Sequence, residues 1–192
     1  GIAELAECVD IAATDIENMV KFAKDNAIDL VMVAPDDPLV LGMVDAMEKE
    51  GIRAFGPRAN AAIIEGSKAF SKELMKKYNI PTANYEVFTD STSAIDYIKA
   101  QNTFPTVIKA DGLALGKGVI IAKNLEEAEQ AVHEMIDDGK FGKSGSRVVI
   151  EEFLTGPEVS VLAFTDGKTV KPMVSAQDHK RAYDNDEGLN TG

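Results

Sequence analysis

Residues 104–123 read FPTVIKADGLALGKGVIIAK, in which a glycine-rich loop separates two runs of β-prone residues. The runs 106–108 and 119–122 are rich in β-branched side chains and therefore predict two strands. Glycines let a backbone approach a ligand closely, and lysines carry compact positive charges that suit phosphate. The stretch indicates either a polyphosphate-binding loop or an ordinary hairpin with solvated lysines. The glycines and lysines that could bind a polyphosphate are Lys109, Gly112, Gly116, Lys117 and Gly118.

Two common phosphate-binding motifs do not fit this loop. A Walker A loop has four residues between its glycines, followed by Lys, Ser or Thr and a helix. Here three residues separate Gly112 from Gly116, Gly118 follows Lys117, and a strand comes next. A dinucleotide fingerprint also requires a helix after its glycines. Any phosphate site at this loop must therefore be of another kind.

Composition limits the classes of partner. The 192 residues are 45% hydrophobic, which is enough for one large or two small globular domains. The net charge of -12 opposes non-specific nucleic-acid binding. The sequence shows neither an apolar run of membrane-spanning length nor a signal-peptide pattern, and a single cysteine, Cys8, fits a reducing compartment. We expect a cytoplasmic monomer that binds small molecules, with no nucleic-acid or membrane partner.

The N-terminal part predicts an α/β layer of alternating elements. Asp15 is a candidate N-cap, Pro38 suits a first helical turn, and Gly51 suits a helix end. Such a sheet normally has more than two strands, so we expect this N-terminal domain to be truncated. The predicted elements are a helix at 16–26, a strand at 29–34, one helix through 38–47 and a strand at 52–55.

The remainder predicts an α+β region around the glycine loop. Lys68 falls in the first turn of a helix, where free N–H groups attract anions, although a solvated lysine is the commoner case. Asn124 and Glu127 form a capping box. Asp166-Gly167 is a hairpin signal. The predicted helices are 59–65, 67–78, 92–101 and 125–138, and the further strands are 85–88, 147–150, 159–164 and 169–175.

Two polar clusters leave alternatives open. Glu151, Glu152 and Glu158 follow a predicted strand and suit either a ligand site or an acidic rim at a strand end. The run 177–181 is dense in mixed charge and suits either a ligand-binding loop or a solvated connection.

Taken in order, the motifs resemble one family. They are Gly56-Pro57, Glu65-Gly66-Ser67-Lys68, Ile108-Lys109-Ala110-Asp111-Gly112-Leu113-Ala114, Gly116-Lys117-Gly118, Glu151-Glu152-Phe153-Leu154, Gln177-Asp178-His179-Lys180-Arg181 and Asn190-Thr191-Gly192. This ordered set closely resembles the phosphoribosylamine–glycine ligases, or glycinamide ribonucleotide synthetases, of the ATP-grasp superfamily. Each motif alone is weak, but the ordered set is specific and extends over almost the whole chain.

The resemblance implies a fold and an activity. The fold would be an incomplete Rossmann-like (pre-ATP-grasp) N-terminal domain followed by a partial ATP-grasp domain, of mixed α/β and α+β class. The activity would be the ATP-dependent joining of glycine to 5-phosphoribosylamine, through a glycyl phosphate, in purine biosynthesis. The cofactors would be ATP and Mg²⁺, with Mn²⁺ as a substitute. The implied domains are 1–56, a linker with the first part of the ATP-grasp domain at 57–84, a small subdomain at 85–154, and the start of a larger subdomain at 155–192.

The resemblance also assigns residues. Lys68 and Lys109 would contact the ATP phosphates and neutralise transition-state charge, under a closing loop that contains Gly112, Gly116, Lys117 and Gly118. Glu151, Glu152, Phe153 and Leu154 would form the hinge that reads adenine, largely through backbone groups, and Glu158 would hold the ribose hydroxyls. The substrate-site residues would be Asp178, His179, Lys180, Arg181, Asn190 and Thr191.

The chain also departs from the family pattern. Family members usually have Gly-Pro-Glu before Pro-Leu, whereas this chain has Ala34-Pro35-Asp36-Asp37-Pro38-Leu39. The resemblance places the magnesium ligands beyond Gly192, so we expect these residues alone to bind nucleotide without catalysis. The alternatives are another ATP-grasp carboxylate–amine ligase and a catalytically incomplete nucleotide-binding fragment.

Overall fold

Two β-branched segments lie at the centre of a four-stranded antiparallel sheet. The computed structural model describes residues 1–113, 118–177, 181–184 and 187–190, and it divides the chain into two units, Gly1–Phe153 and Leu154–Gly192. The sheet belongs to the first unit, and every one of its strand pairs is antiparallel. The central strands carry the β-branched residues that the sequence pattern indicated.

The N-terminal part of the first unit is a small α/β layer. Its two strands pair in parallel, with Val31 opposite Ala54 and Met32 opposite Phe55. Met43, Val44 and Met47 form a buried cluster with Ala23, Val33 and Ile52. The elements are α1 (Ile16–Asp25), β1 (Val31–Met32), α2 (Asp36–Val40), α3 (Met43–Lys49), β2 (Ala54–Phe55) and α4 (Ala59–Gly66).

The sequence predictions for this layer were partly wrong. The single helix predicted through 38–47 is two helices, α2 and α3, because Gly42 has a left-handed backbone with φ of 91°. The strands predicted at 29–34 and 52–55 are only two residues long, because the two segments pair with each other only at Val31–Met32 and Ala54–Phe55. Asp15 does cap α1, because its carboxylate accepts a hydrogen bond from the Asn18 N–H.

Two helices, α6 and α7, cover one face of the central sheet. Its strand order is β3, β6, β4, β5. Alternate residues, among them Ile108, Val148 and Ile150, enter a core formed with the two helices α6 and α7. The elements are α5 (Lys68–Lys77), β3 (Tyr85–Phe88), α6 (Ser91–Gln101), β4 (Thr106–Ala110), β5 (Val119–Ala122), α7 (Leu125–Ile136) and β6 (Val148–Glu152).

The helix boundaries in this region agree with the prediction to within two residues, and the Asn124 cap is confirmed. One strand differs. The strand predicted at 147–150 is β6, which continues through Glu151 and Glu152 because Thr106 of β4 pairs with Glu152. These two glutamates are therefore strand residues and do not lie in a loop.

The second unit holds short hairpins. The predicted turn at Asp166-Gly167 is confirmed, since the Asp166 carboxylate accepts from the N–H groups of Lys168 and Thr169. The strands predicted at 159–164 and 169–175 are shorter than expected. The strands are β7 (Ala163–Thr165), β8 (Val170–Pro172), β9 (Arg181–Tyr183) and β10 (Glu187–Asn190).

The core gives a direct stability test. Ile108 is fully buried, at 0% exposure, whereas Ile121 on the neighbouring strand is 49% exposed. We expect Ile108→Ala to lower the free energy of unfolding by about 2–5 kcal/mol, because it removes buried methyl groups and leaves a cavity. Ile121→Ala, the matched control, should cost about 1 kcal/mol or less. Urea denaturation measures both, and equal losses would contradict the assignment of this core.

Candidate functional site

The end of β4 is fixed to the start of α5 by Asp111. This buried carboxylate accepts hydrogen bonds from the Ala69 N–H at 2.6 Å and from the Ser67 hydroxyl at 3.0 Å. The Asp111 carbonyl accepts from the Lys68 N–H at 3.0 Å. The Arg147 guanidinium donates to the same carboxylate, with Nε at 2.9 Å. Three segments that are distant in sequence are thereby held together where the glycine loop begins.

The base of the glycine loop is held on both sides. A Cβ atom on Gly112 would lie 2.4 Å from the Ser144 hydroxyl oxygen, so the close approach of these segments requires glycine. That hydroxyl donates to the Leu113 carbonyl at 3.0 Å. At the other end, the carbonyl of the buried Gly118 accepts from the Ala110 N–H at 2.8 Å. Gly116 and Lys117, which the resemblance assigns to the loop, lie outside the described residues.

Lys68 points to the start of this loop. Its ammonium donates to the Gly112 carbonyl at 3.0 Å. Burial lowers the pKa of Lys68, while the nearby carboxylates of Glu65 and Asp111 oppose that shift. An anion at this position would favour the charged form of Lys68 in the same way.

Lys109 and Glu151 lie on the sheet face opposite α6 and α7. The Lys109 ammonium is 2.9 Å from Glu151 Oε2, and the Lys72 ammonium is 3.2 Å from the same oxygen. Glu151 is buried, and the Lys109 side chain is the most exposed of the three. Glu151 therefore holds two lysines, and its side chain is engaged in ion pairs.

The same face has an open apolar part. Val119 lies directly opposite Lys109, and Ile121 lies opposite Val107, so these four residues share one face. Val119 and Ile121 are 44% and 49% exposed. An exposed apolar surface beside a lysine can accept a flat ring next to an anionic group.

The structure also describes several other residues that the resemblance assigns to the site. Glu152 accepts a hydrogen bond from the Asn84 amide at 2.7 Å, and Phe153 is partly exposed. Leu154 and Glu158 belong to the second unit. Arg181 of β9 and Asn190 of β10 lie opposite each other in an antiparallel pair. Asp178, His179, Lys180 and Thr191 lie outside the described residues.

The sequence analysis assigned no role to four residues of the candidate site, which are Ser67, Lys72, Asp111 and Arg147. Lys72 had a usable signal, because it follows Lys68 by one helical turn and therefore lies on the same side of α5. The roles of Asp111 and Arg147 depend on the fold, since Arg147 contacts a carboxylate 36 positions earlier.

Two negative findings apply to the part of the chain that the structure describes. Within it, no group of three or more His, Cys, Asp or Glu side chains is arranged to hold a metal ion. None of the described helices is long and apolar enough to cross a bilayer.

The sheet, its helix-covered face and its lysine-bearing face define an ATP-grasp protein. Residues 66–192 match the family described as phosphoribosylglycinamide synthetase, ATP-grasp (A) domain, and residues 1–65 match the N domain of the same enzyme. The chain belongs to the phosphoribosylglycinamide synthetase family.

Individual relatives agree with this assignment. Phosphoribosylamine–glycine ligase of Halalkalibacterium halodurans is 54% identical over 192 residues, which are 100% of this chain and 45% of that protein. The crystal structure of the Thermotoga maritima ligase has a TM-score of 0.66 and 40% identity, over 72% of this chain and 35% of that one. A biotin carboxylase of Campylobacter jejuni has a TM-score of 0.71 at 17% identity, over 83% of this chain and 36% of that one, which shows the fold alone. The chain spans less than half the length of the curated relative.

The Asp111 contacts lead to a second stability prediction. We expect Asp111→Ala to lower the free energy of unfolding by about 2–4 kcal/mol, because it leaves the buried Ala69 N–H and Ser67 hydroxyl without their carboxylate acceptor. Asp138→Ala, at an exposed position, should change it by about 0.5 kcal/mol or less. Urea denaturation measures the free energy of unfolding of both variants. If Asp111→Ala lowers it no more than Asp138→Ala does, these hydrogen bonds contribute little to stability.

Proposed function

We propose that this chain is the nucleotide-binding part of a ligase that joins glycine to 5-phosphoribosylamine at the expense of ATP. The observation that carries the proposal is the pair of lysines, Lys68 and Lys109, at the glycine loop of a chain that belongs to this family. The products are glycinamide ribonucleotide, ADP and phosphate. The cellular role that follows is purine biosynthesis in the cytoplasm.

The lysines suit the first chemical step. A carboxylate oxygen of glycine attacks the γ-phosphorus, the bond to the β-phosphate oxygen breaks, and ADP leaves. Carboxylate and phosphate repel each other, so cations beside the phosphates lower the barrier. Lys68 and Lys109 supply that charge, and the glycine loop excludes water from the glycyl phosphate.

The second step requires positioning. The amine nitrogen of phosphoribosylamine attacks the acyl carbon, the carbon–oxygen bond to phosphate breaks, and the amine loses a proton. No nucleophilic side chain takes part, so the protein contributes orientation. Arg181 and Asn190, together with Asp178, His179, Lys180 and Thr191, are the proposed substrate contacts, and Glu158 is the proposed ribose contact.

Mg²⁺, or Mn²⁺ in its place, belongs to the proposal through the family resemblance alone. The described residues provide no cluster suited to a metal, and we assign no step to the ion. Its expected ligands beyond Gly192 stay a prediction.

The activity test uses the full natural protein that contains this chain. It is incubated with ¹³C-glycine, freshly prepared phosphoribosylamine, ATP and Mg²⁺, and the product is followed by mass spectrometry. We expect labelled glycinamide ribonucleotide and one ADP per product. Product formed with a different amino acid in preference to glycine would indicate another ATP-grasp ligase. ATP binding without any product would indicate a nucleotide-binding module.

Lys109 gives a prediction about binding. We expect Lys109→Met to weaken ATP binding about 10- to 150-fold and to leave adenosine binding nearly unchanged. The reason is that a charge-assisted hydrogen bond to phosphate contributes about 1.5–3 kcal/mol. Lys123→Met, at an exposed position after β5, is the control. Isothermal titration calorimetry measures each affinity, and equal weakening of both ligands would remove Lys109 from the phosphate site.

A further inference from the structure

Lys72 is a buried lysine that the proposed reaction does not use. It lies on α5, and the residue is only 6% exposed. Its ammonium donates to the Thr82 hydroxyl at 2.7 Å and to the Ala83 carbonyl at 3.3 Å. It also lies 5.4 Å from the centre of the Tyr85 ring. A lysine rarely lies this deep without a specific anionic partner.

That partner is Glu151. Its Oε2 oxygen is 3.2 Å from the Lys72 ammonium and 2.9 Å from the Lys109 ammonium. The three side chains carry one negative and two positive charges. Side-chain exposures of 8% for Lys72, 6% for Glu151 and 27% for Lys109 show which lysine can reach a ligand.

The cost of an unpaired buried charge explains the need for a second lysine. A buried carboxylate that loses its only cation is strongly destabilised. If Lys109 alone paired with Glu151, moving the Lys109 ammonium towards a phosphate would leave Glu151 buried without a cation. Because Lys72 stays with Glu151, Lys109 can leave.

We propose that Lys72 is a positioning residue that keeps Glu151 paired and so releases Lys109 to bind the phosphates of the nucleotide. This inference rests on the proposed function, since it needs a polyphosphate ligand at Lys109. Lys72 acts through Glu151 and makes no contact with the nucleotide.

The test compares ATP and adenosine binding by isothermal titration calorimetry in the full natural protein. In Lys72→Met, Lys109 is the one lysine among the described residues that is still in direct ion-pair contact with Glu151, and we expect it to be retained there. ATP affinity should fall about 10- to 100-fold, the range expected for one charge-assisted contact, with adenosine affinity unchanged. Lys72→Arg, which keeps the charge, should retain ATP affinity to within about threefold.

A second substitution separates positioning from packing. In Glu151→Gln the buried group is neutral, so Lys109 leaves no buried charge behind. Because the resemblance assigns Glu151 to the adenine hinge, the double variant Lys72→Met/Glu151→Gln is compared with Glu151→Gln. The two should bind ATP equally well. A packing role would instead make the double variant bind ATP more weakly than Glu151→Gln does. These two variants can be compared even if Lys72→Met alone does not fold.

Lys76 supplies the matched control. It lies one turn further along α5 and 6.0 Å from the centre of the same Tyr85 ring, but it is exposed. Lys76→Met should leave both affinities unchanged. Normal ATP binding by Lys72→Met, an equal loss for adenosine, or weaker ATP binding by the double variant than by Glu151→Gln would each overturn the inference alone. Wild-type protein that fails to bind ATP would overturn the proposed function together with it.

Discussion

The site depends on one buried carboxylate. Asp111 joins the end of β4 to the first turn of α5 and to Arg147, which precedes β6. These contacts determine where Lys68 lies, because the Lys68 backbone N–H also donates to Asp111. They also determine where the glycine loop leaves the sheet. A carboxylate at a helix N-terminus is well placed for this, because it accepts hydrogen bonds from N–H groups that would otherwise lack partners. Its negative charge also interacts favourably with the positive end of the helix dipole.

Lys68 and Lys109, the two described lysines proposed to contact phosphate, each have an acceptor in the structure. Lys68 donates to the Gly112 carbonyl, and Lys109 pairs with Glu151. Held side chains lose less conformational entropy on binding, so more of their interaction with a phosphate contributes to affinity. The two acceptors differ in one respect. A backbone carbonyl that loses its lysine stays neutral, whereas Glu151 keeps a charge and needs Lys72 beside it.

The sequence was sufficient wherever local chemistry determines the structure. The Asn124 cap, the Asp166-Gly167 turn and the two strands beside the glycine loop depend on neighbouring residues, and all are present. The sequence was insufficient where a contact with a residue distant in sequence determines the structure. Glu151 belongs to a strand because Val107 pairs with it, and its side chain meets Lys72 and Lys109 from two other elements. Most of the fold was predictable, as were the positions of Lys68 and Lys109, whereas the carboxylates that hold them were not.

The layout of the sheet explains why the proposed ligand face can be both apolar and charged. An antiparallel sheet can leave part of one face open; here α6 and α7 cover one face, and the opposite face is covered only in part. On the opposite face, α5 reaches β6 and brings Lys72 to Glu151. Val119 and Ile121, on the edge strand β5, stay exposed beside Lys109. The charged residues of this face thus lie where Lys72 of α5 can pair with Glu151. The exposed apolar residues lie on β5, where a flat ring could cover them. The nucleotide proposed as the ligand has both parts, a ring and a charged chain, and this division of one sheet face suits that pairing.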